Sequence, residues 1–293
     1  MKEILRAFPR VMGIVNINDD SFSGDGTLDV TKALGQAGRM IRDGADVIDV
    51  GAESARTNRG PIGVPEEIAR LLPFLDGFEA LCAEASPRDE FQIWPPLLSV
   101  NTWRPEVVAA VLPTGKVDLI NDIGGLVEDT NARLCFEHGA TLLLMHTVGE
   151  PKVPHTTQRY PDVWEAMERF FDDRLKRVRR IGLNDDQIIL DPGIDFAKQR
   201  DDNLAIYRHL ERLQRYDLPV LLPISRKTVI GEVLGLPEPV ERDAGTIACL
   251  VRGLVARADL FRVHNVKPVA DSVRVIAAIR GGLLSASGSG LCR

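Results

Sequence analysis

The 293-residue sequence has no excess of positive charge, no paired cysteines and no long apolar run. Its 36 Lys and Arg against 42 Asp and Glu leave a net charge of −6, which argues against a general binder of nucleic-acid backbones. Any anion site must be built locally. The four cysteines, Cys82, Cys135, Cys249 and Cys292, form no C-x-x-C pair and have no histidine at zinc spacing, so they read as reduced thiols. No apolar stretch approaches the roughly 18 residues of a membrane span, and Pro9 and Arg10 interrupt the segment after Lys2 and Arg6. A cytoplasmic protein without membrane or nucleic-acid partners is the expectation. No G-x-G-x-x-G follows the first apolar run, and neither a Ser-His-Asp order nor a cysteine nucleophile stands out.

What is present is repetition. Short runs rich in Val, Ile and Leu lie at 11–16, 47–51, 97–101, 118–121, 141–146, 188–191, 219–225 and 260–264. Each is followed by a turn and a stretch of helical periodicity, at 30–44, 65–85, 105–112, 129–138, 163–181, 200–215, 241–256 and 268–279. Gly44, Gly139 and Gly182 stand where a left-handed residue would stop a helix, while Pro65, Pro105 and Pro268 suit a first helical turn. Near-continuous apolar strands are buried on both faces, as in a parallel sheet covered by helices. Eight such units predict an α/β fold, a single (β/α)8 TIM barrel over 1–280, followed by a flexible Gly/Ser-rich tail at 281–293. A doubly wound open sheet is the alternative, and the missing glycine motif weighs against it.

In a barrel the active site lies at the C-terminal ends of the strands. Every run here has a polar residue at or beside its end: Asn16, Asp49 with Glu53, Asn101, Asn121 with Asp122, His146, Asp191, Ser225 with Arg226 and Lys227, and Arg262 with His264. A strand's last residue is often polar because it meets the turn. Eight ends out of eight, mixing amides, carboxylates and cations, are better explained by one polar pocket. Amides and carboxylates suit a flat polar heterocycle, and Lys227, Arg262 and His264 suit an anion. A Schiff-base role for Lys227 is the competing reading of that residue. Trp94, Trp103 and Trp164 read as packing residues, with Trp103 a candidate for the pocket mouth. His138, His155 and His209 read as helix or loop surface, and His146 as either part of the site or its support.

These segments, in chain order, resemble the dihydropteroate synthase family. Met12 through Asn16 with Asp20-Ser21-Phe22-Ser23, Gly44 through Gly51 with Glu53, Ser54 and Arg56, and Ser99-Val100 with Thr102 carry the likeness. Asn121-Asp122, Met145-His146, Asp191-Pro192-Gly193 with Phe196 and Lys198, Ser225-Arg226-Lys227 and Arg262-Val263-His264 continue it. The resemblance implies a (β/α)8 barrel, typically dimeric, that condenses 6-hydroxymethyl-7,8-dihydropterin pyrophosphate with 4-aminobenzoate in folate synthesis, with Mg²⁺. It implies that Asn101, Asn121, Asp191 and Lys227 hold the pterin, and that Asn16, Arg262 and His264 contact the pyrophosphate, with Asn16 also on the metal. Phe22, Arg56, Phe196 and Ser225 would surround the aminobenzoate, and Lys227, Arg262 and His264 would carry the catalysis.

The sequence also departs from that family. Asn101 stands where an aspartate is expected, and Asp195 where glycine is usual. A charge lost at roughly 4 Å and an effective dielectric of about 20 is worth about 4 kcal/mol if nothing compensates. Asp122 and Asp195 are the candidate substitutes. Asn18-Asp19 in the first loop, with Ala55 and Thr57 in the second, predict an altered response to sulfonamides, which mimic aminobenzoate. Two other readings follow: a diverged pterin-binding paralogue without this activity or with another acceptor, and a pterin-dependent methyltransferase domain, against which Arg262 and His264 argue.

Overall fold

The computed structural model describes residues 1–19, 24, 26–54 and 60–280. Phe22, Arg56, Ala55, Thr57, Cys292 and the 281–293 tail lie outside the described residues. Eight parallel strands form among those described: β1 Arg10–Asn16, β2 Val47–Gly51, β3 Leu97–Asn101, β4 Leu119–Asp122, β5 Thr141–Met145, β6 Ile188–Asp191, β7 Leu221–Pro223 and β8 Leu260–Val263. They pair in the order β6-β5-β4-β3-β2-β1-β8-β7, and a parallel bridge from Leu190 to Val220 joins the remaining edge. The result is a nearly closed TIM barrel.

Helices cover its outside: α1 Lys2–Arg6, α2 Val30–Asp43, α3 Val64–Glu84, α4 Pro105–Val111, α5 Thr130–His138, α6 Val163–Ile181, α7 Arg200–Arg208, α8 Thr228–Leu234, α9 Asp243–Val255 and α10 Val266–Ile279. Gly44 and Gly139 end α2 and α5 at φ 103° and 70°, in the left-handed region that only glycine enters without steric cost. Two helices were not expected from sequence. The five-residue α1 and the seven-residue α8 are too short for a periodic signal. The predicted 200–215 helix breaks at His209 and continues as a 3₁₀ turn over Leu210–Tyr216. The predicted 219–225 strand shrinks to Leu221–Pro223, since Pro219 and Pro223 donate nothing to a ladder. None of the described helices is long and apolar enough to cross a membrane.

The two-residue period of the strands divides the molecule into layers. Val11, Ile48, Val50, Leu98, Val100, Ile120, Leu142, Leu144, Ile188, Leu190, Leu222, Phe261 and Val263 point outward into one core shared with the helices. Met12, Val47, Leu119, Leu143, Ile189, Leu221 and Leu260 point inward and pack together with Leu5 of α1. Moving two residues further along each strand in the same parity gives Ile14, Asp49, Asn121, Met145, Asp191, Pro223 and Arg262. The barrel interior is therefore apolar at the N-terminal end and largely polar at the C-terminal end.

Candidate active site

Over that polar layer opens a cavity of about 700 Å³. Asn16, Gly51, Asn101, Asn121, Asp191, Lys227, Arg262 and His264 line it, and Asp195, Phe196 and Ser225 stand along its wall. The structure thus brings together the described residues predicted to hold the pterin, the pyrophosphate and the aminobenzoate, but not every polar strand end: Asp122, His146 and Arg226 lie off the cavity wall. Strand parity selects them. Asp122 and His146 have the opposite parity and point away from the cavity. Asp122 accepts from Gly124 N at 2.8 Å and from Asn131 Nδ2 at 2.9 Å, so it is not the substitute for the charge missing at Asn101. The His146 ring packs edge-on against Phe170, 5.1 Å between centroids, and burial holds its pKa well below the usual histidine value. His146 is support rather than site. Trp103 also stays off the cavity wall, with the Arg104 guanidinium over its ring at 5.0 Å.

A further carboxylate comes from the second strand. Asp49 is fully buried beneath the cavity floor. Its carboxylate accepts from Ser99 Oγ at 2.5 Å, Asn121 Nδ2 at 3.0 Å and Arg262 Nε at 2.6 Å. An ionised carboxylate is acceptor-only, so Asn121 must present its amide NH₂ to it. That orientation leaves Asn121 Oδ1 buried without a partner at the cavity, ready for a ligand N–H. Arg262 is likewise aimed by its Nε contact, which leaves its two terminal nitrogens for an anion.

The sixth strand contributes an acid in a difficult place. Burial raises the Asp191 pKa to about 6, opposed by the Gly193 N–H, which donates to Oδ1 at 2.6 Å, and by Lys227, Lys198 and Arg262. Lys198 belongs to the resembling segment, and sequence alone shows no role for it. Its Nζ donates to the carbonyls of His146 and Gly193 at 2.9 Å and of Phe196 at 3.0 Å, and burial lowers its pKa to about 7. Lys227 Nζ donates to Ile194 O at 2.8 Å and sits 5.1 Å over the Phe196 ring. Ser225 Oγ accepts from His264 N at 3.2 Å and lies 2.9 Å from His264 Nδ1.

The sequence reading missed the loop after β5. Lys152 donates to Ser54 O at 3.0 Å and pairs with Glu53 at 3.3 Å, so this loop is tied to the one after β2. Glu53 also pairs with Arg104, which in turn pairs with Glu67 of α3. Pro151 through Thr156 thereby form one side of the cavity mouth. Among the described residues no group of three or more His, Cys, Asp or Glu converges as a metal cage.

Comparison with known proteins agrees with this geometry. The family described as "Pterin binding enzyme" matches residues 12–264. The dihydropteroate synthase of Escherichia coli K12 is 34% identical over 271 residues, covering 92% of this chain and 91% of the relative. That of Bacillus subtilis is 36% identical over 277 residues, covering 93% and 90%. Among solved structures, the Yersinia pestis dihydropteroate synthase with a sulfonamide drug complex superposes at TM-score 0.83 with 33% identity, covering 94% of this chain and 95% of that one. The Xanthomonas albilineans enzyme with 4-aminobenzoic acid does so at TM-score 0.80 and 33% identity, covering 93% of each. A match this long, on a barrel whose inward polar layer carries the resembling residues, places the chain in the dihydropteroate synthase family of pterin-binding enzymes.

Proposed function

We propose that the cavity condenses 6-hydroxymethyl-7,8-dihydropterin pyrophosphate with 4-aminobenzoate, releasing pyrophosphate and 7,8-dihydropteroate for folate biosynthesis. The observation that carries this reading is the polarity of the inward layer, amide and carboxylate on one side and cations on the other, in a chain of this family. Asn121 Oδ1 and the Asp191 carboxylate, with Asn101 beside them, are acceptors for the N–H groups of a pterin edge. Lys227 closes the same site. Arg262, held by Asp49, and His264, held by Ser225, face the pyrophosphate.

An aniline amine is neutral near pH 7 and needs no strong base, so departure of pyrophosphate from the methylene carbon is the demanding event. Fixed cations neutralise the charge that develops on it, in a pocket already organised for that charge. The donor set fits Mg²⁺. Asn16 on the cavity wall would hold the ion through its amide oxygen, and phosphates and water would supply the other ligands of a hexacoordinate ion. Bound there, the ion supplies further charge neutralisation on the leaving group. Phe196 and Ser225 border the place for the aminobenzoate, next to Lys227. The assembly we propose is a homodimer through the exposed Val251, Val255, Val275 and Ile279 of α9 and α10, to be checked by sedimentation.

Pyrophosphate release, measured with and without 4-aminobenzoate in the presence of Mg²⁺, tests the function. Aminobenzoate-dependent release that falls at least about a hundredfold in Arg262→Ala is expected. Because Asp49 orients Asn121 and Arg262 whichever residue stands at 101, Asn101→Asp should alter kcat by less than about tenfold. A second reading, a pterin-binding protein without this activity, is favoured by Asn101 itself. It would be upheld by binding without release, with release appearing in Asn101→Asp.

A further inference from the structure

We infer that Asp195 is a positioning residue that staples the loop after β6 to the start of α8 and so fixes Lys227 and Phe196 in the cavity. The inference rests on the proposed function of this site. The family resemblance places glycine at this position, and the backbone here requires what glycine does most readily: φ is +68° at Asp195 and +51° at Ala197. A non-glycine residue in that region is sterically penalised, with Asp and Asn least so, and the side chain must return something.

It does so through three contacts, with a backbone bond beside them. Asp195 Oδ2 accepts from Thr228 N at 2.5 Å, and Oδ1 accepts from Val229 N at 3.4 Å and Asn203 Nδ2 at 3.1 Å. Its backbone N–H donates to Asn203 Oδ1 at 2.9 Å, and Asn203 of α7 is itself buried. Lys227 directly precedes Thr228, and its Nζ donates back to Ile194 O, directly before Asp195. The two segments are therefore joined by bonds in both directions. Between them the Phe196 ring lies against the Lys227 ammonium. The charged groups facing Lys227 are Asp195, Asp191, Arg262 and Lys198; burial lowers its pKa, and the two carboxylates oppose that. With glycine at 195 the Thr228 and Val229 N–H groups lose this acceptor, and Lys227 loses a carboxylate.

The test is titration of wild type, Asp195→Gly and Asp195→Asn with dihydropterin pyrophosphate alone, from about pH 6 to about pH 10, with Tm recorded for each. Asp195→Gly, which relieves the strain and removes the staple, should weaken binding about fivefold or more. Asp195→Asn keeps one oxygen for Thr228 N. It should bind within about twofold of wild type near pH 7, and its alkaline loss of binding should move to lower pH. Unchanged affinity in Asp195→Gly overturns the inference, whatever Tm does. Should that variant not fold, an alkaline limb unmoved in Asp195→Asn overturns it. A wild type that fails to bind the pterin pyrophosphate would instead overturn the reading of the site itself.

Discussion

Asp191 and Asp122 are one strand position apart in kind but not in use. Both are buried carboxyls with pKa values raised to about 6, yet one lines the cavity and the other is sealed against α5 by Asn131. Only Asp191 can make ligand binding depend on its charge. As pH falls through about 6 its carboxylate takes up a proton and ceases to accept freely from a pterin N–H. Pterin affinity should therefore drop on the acid side with an apparent pKa near 6, and Asp191→Asn should remove that limb along with most of the affinity; calorimetric titration across this range reads both. The stability linkage has the opposite sense. A folded-state pKa raised above the unfolded 3.8 gives a contribution that is complete below that value and is lost as pH rises through about 6. An acid limb in binding, with no matching loss of fold, separates the two effects.

At the scale of elements, the strands were readable because their apolar runs are nearly continuous, and β2, β3 and β6 occupy the expected residues. Continuity also hid which residues face inward. The key was in the same sequence: Asp49, Ser99, Asn121, Asp191 and Arg262 are polar groups inside strands, and the outward face must meet apolar helices, so these fix the parity. That rule places Asp49 in the pocket layer and sets Asp122 and His146 outside it. Loop contacts were not legible. The pairing of Lys152 with Glu53 spans 99 positions, and the three carbonyls held by Lys198 belong to two different loops. Their meeting is a product of closure, with no local pattern to announce it. The turn after β6 shows how tightly closure binds. Gly193 has φ +66°, donates to Asp191, and gives its carbonyl to Lys198. An added Cβ would run into the His146 carbonyl of the loop after β5. Gly193→Ala should cost more than about 2 kcal/mol in denaturant unfolding and lower pterin affinity with it, since turn and acid move together.

For the whole molecule, the layering of the barrel predicts that one strand can be damaged in two unlike ways. Asp46 and Asp49 flank the same two apolar residues, Val47 and Ile48. Asp46 lies at the N-terminal end, where it accepts from Val11 N at 2.8 Å and Ile93 N at 2.9 Å and pairs with Arg10 at 3.4 Å. Arg10 is buried too, and it further donates to Ile4 O and to Phe91 O. Nothing in this cluster touches the cavity. Removing Asp46 leaves a buried guanidinium and two backbone donors without their acceptor, which costs about 3–5 kcal/mol. In a chain of this size that is a Tm loss of roughly 10 °C. Asp49→Asn keeps the volume and one acceptor of its side chain while releasing Arg262 from its ion pair and allowing the Asn121 amide to turn. Its cost should fall on the site, about a hundredfold in kcat/KM, with a smaller change in Tm. Thermal unfolding and steady-state kinetics on Asp46→Ala and Asp49→Asn together therefore form a cross. Asp46→Ala should unfold early yet keep both KM values within about twofold at 25 °C, because the apolar layer of Met12, Val47, Leu119, Leu143 and Leu260 stands between the two ends. A rise in KM on losing Asp46 would mean that this layer transmits displacement rather than absorbing it, and that the polar layer is held in place from below as well as by its own hydrogen bonds.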